Sequence, residues 1–196
     1  MPKLSINTTL NYSPNFDQIK RKPKQIKLVV FHYTGMKREI DAINKLTSVK
    51  SKVSSHYFIK KNGEILILVP DLYVAWHAGV SSWEKYKSIN KYSIGIEISN
   101  PGHDNKYKKF SKEQINSIYK LSRYLIKKYK IKARNILGHS DIAPGRKRDP
   151  GEKFPWKYLA KKNVGYWHNL NSKILVKERN KKIFETEKKI FIQNLL

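Results

Sequence analysis

The chain has no cysteine at any of its 196 positions. That absence excludes disulfides, cysteine-based zinc fingers, a thiol nucleophile and a lipidated amino-terminal cysteine. No stretch approaches the ~20 apolar residues that a membrane-spanning helix needs. The first twenty residues, MPKLSINTTLNYSPNFDQIK, carry no apolar segment of the signal-peptide kind, so the expected compartment is the cytoplasm. A trimmed precursor would present the same amino end, which keeps the periplasm as the alternative. Acidic residues are scarce too: 15 Asp and Glu stand against 41 Lys and Arg, a formal net charge of +26. That balance suits an anionic partner, such as nucleic acid or a cell-wall polymer, or reflects a lysine-rich coding bias. The lysines are spread along the whole chain rather than gathered in a stripe interleaved with aromatics, so nucleic acid is not the expected partner.

With 39% hydrophobic and 12% aromatic residues the composition is that of a globular protein, and 196 residues suffice for one domain with a full core. Residues 1–26 read as an irregular arm, 27–168 as the domain, and 169–196 as a Lys-rich helical extension that packs back on it. Within the domain, KLVVFHY at 27–33 fits a buried strand, and residues 38–49 a helix. Two antiparallel strands are expected to flank Asn62-Gly63, a strong hairpin signal. YSIGIEIS at 92–99 alternates strictly, with Ile94, Ile96 and Ile98 on one face and Ser93, Gly95, Glu97 and Ser99 on the other. Ser111 and Gln114 have capping-box spacing ahead of an apolar stripe from Ile115 to Tyr129, which marks a long helix. Residues 71–90 form a turn-rich aromatic loop of the kind that walls a site.

The stretch ILGHSDIAPGRKRDPGEKFPW, residues 136–156, carries the clearest chemistry. A strand end presents His139, and a loop returns Asp149 ten residues later. The bland reading is a solvated basic loop that happens to follow a histidine. The sharper one is a metal site, because imidazole and carboxylate suit zinc, and a hydrolytic zinc site takes three protein ligands. His32 also follows an apolar strand. If its strand neighbours that of His139, the set His32, His139 and Asp149 is complete and leaves a position for water. With residues 146–149 extended, Lys147 would point with Asp149 while Arg146 and Arg148 face away. Taken alone, Glu97 reads as a strand glutamate in a surface ion pair. Beside such a metal it is the natural general base, and Lys147 the natural stabiliser of developing negative charge.

Five ordered blocks, FHYTG at 31–35, SSHYFIKKNGEI at 54–65, AWHAG at 75–79, YSIGIEISNPG at 92–102 and GHSDIAPGRKRDPG at 138–151, resemble the zinc-dependent N-acetylmuramoyl-L-alanine amidases. That family is related to peptidoglycan recognition proteins and phage lysozyme-type amidases. The resemblance implies an α/β fold of the α+β type, a single domain with a mixed central sheet flanked by helices. It also implies one zinc per chain on His32, His139 and Asp149, with Glu97 and Lys147 catalytic. The implied reaction is hydrolysis of the amide between the lactyl group of N-acetylmuramic acid and L-alanine, in muropeptides or peptidoglycan. Recycling of anhydromuropeptides is the expected setting, and a monomer the expected state. His77 and Asn100 fall where groove residues would meet sugar or peptide, although His77 also fits a satisfied structural histidine. The alternative function is a non-catalytic peptidoglycan-recognition module, which would be expected to have lost a ligand or the base.

Overall fold

The apolar runs at 28–33, 57–59, 65–67, 93–98 and 136–138 become strands of one six-stranded sheet. The structure is a computed structural model and describes residues 8–168 and 170–179. The sheet strands are β1 (Thr8–Leu10), β2 (Leu28–Tyr33), β3 (Tyr57–Ile59), β4 (Ile65–Ile67), β5 (Ser93–Ile98) and β6 (Ile136–Gly138), in the spatial order β1-β4-β3-β5-β2-β6. Only β3 and β4 pair antiparallel, through the Asn62-Gly63 turn; the other neighbours are parallel, so the sheet is mixed. Parallel neighbours need crossovers, and these are supplied by α1 (Glu39–Thr47), α2 (Lys112–Tyr129) and the long 71–90 loop.

Alternation divides the sheet into two working faces. Val29 and Phe31 of β2, with Ile94, Ile96 and Ile98 of β5, pack against Ile118, Leu121 and Leu125 of α2. Each such fully buried side chain contributes on the order of 2 kcal/mol of hydrophobic stabilisation. The helix starts on the expected capping box, Ser111 Oγ accepting from Gln114 N and the Gln114 side chain accepting from Ser111 N. Its far end is tied down at Asp71, whose carboxylate accepts from Tyr57, Tyr129 and Lys128. The opposite face carries Phe58, Leu66 and Leu68 under Ala42, Ile43 and Leu46 of α1. On that same face, towards the strands' carboxyl ends, lie His32 and Glu97.

The amino-terminal segment is not wholly an irregular arm, because Thr8–Leu10 adds the edge strand β1 parallel to β4 and Phe16–Asp17 pairs with Val74–Ala75. His56 sits just before β3, with Nδ1 accepting from Gly95 N. In the carboxyl-terminal extension α5 (Ser172–Arg179) forms, with Ile174 and Val176 43% and 57% exposed. Ile183, Phe184, Ile190 and Phe191 of the expected amphipathic helix lie outside the described residues. A short helix α4 (Trp156–Lys161) follows the one-turn α3 (His139–Ile142).

Candidate metal centre and active site

Strand register brings the first pieces together. Gly138 of β6 pairs with Phe31 of β2, which sets His139, the next residue, beside His32. On the other side of β2, His32 pairs with Glu97 of β5. Three adjacent parallel strands thus end on a histidine, a histidine and a glutamate. Asp149 is returned by the loop after α3, whose geometry is fixed by hydrogen bonds from Ser140 N to Asp149 O and from Lys147 N to Ala143 O.

The three expected ligands converge. His32 Nδ1 lies 2.9 Å from His139 Nδ1 and 3.0 Å from Asp149 Oδ2, and His139 Nδ1 lies 3.1 Å from the same oxygen. All three residues are buried. The network around them assigns the protons. His139 Nε2 is 3.0 Å from Ala78 O, so it donates there and a neutral ring keeps its lone pair on Nδ1. Burial, reinforced by the neighbouring His139, holds the His32 imidazole down at about 4, so it is neutral at pH 7. Its Nε2 is 3.0 Å from His77 Nδ1, and with that nitrogen as acceptor its lone pair too is on Nδ1. In these tautomers two imidazole lone pairs and a carboxylate oxygen meet at one point. Such a set is repulsive by itself and fits a cation of zinc's preferences.

Glu97 faces the same cleft. Burial first, and then the nearby Asp149 carboxylate, push its carboxyl up from 4.5 to about 8. Among the described residues no group hydrogen-bonds its Oε2, a buried oxygen. The cleft holds about 380 Å³ and is lined by His32, His139, Asp149, Glu97 and Lys147, with Lys45, Arg146 and Arg148 adding positive charge. Met36, Ala42, Leu46 and Val53 give it one apolar side.

Lys147 therefore lines the cleft with Asp149 as the spacing anticipates, but Arg146 and Arg148 do not face away. Residues 144–146 turn rather than extend. Arg146 Nη2 donates to Ala78 O at 2.9 Å and to Val80 O at 2.5 Å, and Arg148 pairs with Asp104. His77 also lines the cleft, with Nε2 3.0 Å from Ser93 Oγ in addition to its contact with His32. Asn100 is buried and is not among the residues that line the cleft: its side-chain amide donates to Lys108 O and accepts from Gly102 N. Nothing in the sequence marks the Ala78 carbonyl as a partner of His139, since a backbone acceptor carries no residue signature.

A mixed sheet with two imidazoles and a carboxylate converging at its strand ends, and Glu97 beside them, fits a metal-hydrolase class of site. Residues 22–152 match the family described as N-acetylmuramoyl-L-alanine amidase. The chain is 39% identical over 155 residues to the N-acetylmuramoyl-L-alanine amidase AmiD of Escherichia coli, a match covering 73% of this chain and 55% of AmiD. It is 34% identical over 167 residues to the 1,6-anhydro-N-acetylmuramyl-L-alanine amidase AmpD of Haemophilus influenzae, covering 76% of this chain and 88% of that one. Among solved structures, AmpDh3 of Pseudomonas aeruginosa in complex with anhydromuramic pentapeptide superposes with a TM-score of 0.72 at 30% identity, covering 91% of this chain and 76% of that one. The chain belongs to the N-acetylmuramoyl-L-alanine amidase family.

Proposed function

We propose that this protein is a zinc-dependent amidase that cleaves the bond between the lactyl carbonyl of N-acetylmuramic acid and the nitrogen of L-alanine, with anhydromuropeptides as substrates. The observation that carries the reading is the pairing of a three-donor cluster with Glu97 one strand away, whose buried Oε2 has no hydrogen-bond partner among the described residues. A recognition module has no use for either. Support for the substrate comes from relatives: E. coli AmiD has been solved with anhydro-N-acetylmuramic acid-L-Ala-D-γ-Glu-L-Lys. Action on soluble fragments in the cytoplasm is part of the same proposal.

Zinc held by His32, His139 and Asp149 would supply a Lewis acid for the scissile carbonyl and allow water to ionise near neutral pH. Glu97, one strand from His32, takes the proton of the attacking water as its oxygen bonds to the lactyl carbon. Lys147, in the cleft wall, donates to the carbonyl oxygen while that oxygen carries negative charge. Glu97 then gives the proton to the alanine nitrogen as the C–N bond breaks. The products are a lactyl carboxylic acid and a peptide with a free amino terminus. Lys147 and Lys45 also oppose the raised affinity of Glu97 for its proton. The apolar side made by Met36, Leu46 and Val53 gives the sugar or peptide a surface from which water is excluded.

Mass spectrometry of the products from that anhydromuramyl tripeptide tests the bond assignment. Anhydro-N-acetylmuramic acid plus intact tripeptide is the expected pair. A zinc-loaded, folded protein that leaves the substrate whole, or cuts within the peptide, would contradict it.

A further inference from the structure

The metal-donor atoms of both histidines are selected by one short segment of the 71–90 loop. Ala78 O accepts from His139 Nε2 at 3.0 Å, and the adjacent His77 Nδ1 lies 3.0 Å from His32 Nε2. For His77 to accept, its own proton must be on Nε2, and the surroundings require this. Ser93 Oγ is 2.8 Å from Ile89 O and gives its hydrogen there, so the hydroxyl is left to accept from His77 Nε2 at 3.0 Å. A relay therefore runs from the Ile89 carbonyl through Ser93 and His77 to His32.

The strand beneath is shaped for this ring. The His77 imidazole lies directly over Gly95, where an added Cβ would run into its Cγ, and the segment is held by Asn90, whose Oδ1 accepts from both His77 N and Ala78 N. Arg146, from the loop that carries Asp149, donates to the same Ala78 carbonyl, so the clamp and the third ligand's loop are tied together.

We propose that His77 is a positioning residue for the metal centre: by accepting from His32 Nε2 it keeps the Nδ1 lone pair of His32 aimed at the point where His139 Nδ1 and Asp149 Oδ2 converge. The proposal rests on reading those three residues as metal ligands. Outer partners of this kind orient a ligand ring and raise its basicity. Without the acceptor, His32 has a competing choice, since a proton on Nδ1 could bond to Asp149 and block the donor atom.

The test uses the full chain with zinc as probe and competition against a chromophoric chelator as readout. His77→Phe should weaken zinc binding by about 10–100-fold. His77→Asn, which returns an amide oxygen close to the place of Nδ1, should recover most of that loss. Gly95→Ala should weaken binding in the same direction by displacing the ring while leaving every polar group present. In zinc-loaded, ¹⁵N-labelled wild-type protein, a scalar coupling across the hydrogen bond should connect His32 Nε2 with His77 Nδ1. Equal zinc affinity in wild type and a folded His77→Phe overturns the proposal, as does a His77→Asn as weak as His77→Phe. Absence of the coupling in the wild type overturns it without reliance on any variant. A wild type that binds no zinc would instead remove the metal-site reading on which the proposal stands.

Discussion

Replacing Asp149 by alanine takes away one of three converging donor atoms, whereas replacing Glu97 leaves all three. Asp149→Ala is therefore expected to lose zinc and turnover together, and Glu97→Ala to keep stoichiometric zinc and lose turnover by at least about 10²-fold. Metal analysis beside a rate assay checks both, and a fully active Glu97→Ala would remove the general-base assignment. The buried Glu97 also makes a stability prediction. Its carboxyl is raised from 4.5 to about 8, so the metal-free fold favours the protonated form. The group costs nothing below pH 4.5 and progressively destabilises as pH rises through 8, by on the order of a few kcal/mol. Metal-free Glu97→Gln should thus match wild type in Tm at pH 4 and exceed it at pH 9. A Tm difference that does not change with pH would contradict this. The positions of His32, His139 and Glu97 were legible because each follows or sits within an apolar strand pattern. The hydrogen bonds of His77 were not, because they depend on which strand lies under the 71–90 loop.

At the scale of elements, the hairpin and the long helix followed from local chemistry that does not need the rest of the fold. Asn62-Gly63 turns because Gly63 takes φ +83°, and an added Cβ there would meet Glu113 O at 2.8 Å, at the start of α2. Gly63→Ala should therefore destabilise by on the order of 1–3 kcal/mol, from strain and contact together, visible as a lower denaturation midpoint. An unchanged midpoint would show that the turn relaxes freely. The strand β1 escaped the sequence reading for a matching reason. Three residues, two of them threonine, show no usable periodicity, and their strand state comes only from pairing with the edge of β4. The loop carrying Asp149 was misjudged in part because an extended run and a turn place Lys147 alike but Arg146 oppositely. The turn brings Arg146 across to the Ala78 and Val80 carbonyls.

Over the whole molecule the net charge of +26 meets a cleft bordered by Lys45, Arg146, Lys147 and Arg148. A peptide stem bearing carboxylates would be drawn towards such a field, and salt would screen the attraction beyond ~10 Å at 0.1 M. The second-order rate constant on an acidic muropeptide should accordingly fall as ionic strength rises; a flat salt profile would rule steering out. No helix among the described residues is long and apolar enough to cross a membrane. The fold class was legible because sheet and helices each carry their own period, and the site because five sequence blocks fall in the family's order. The most direct measurement of the central claim follows release of free tripeptide from anhydro-N-acetylmuramyl-tripeptide by the purified protein, before chelation, after chelation and after zinc is restored. The account expects release that stops with the chelator and returns with zinc, at one zinc per chain. Release that continues undiminished in a protein shown to be metal-free would contradict it.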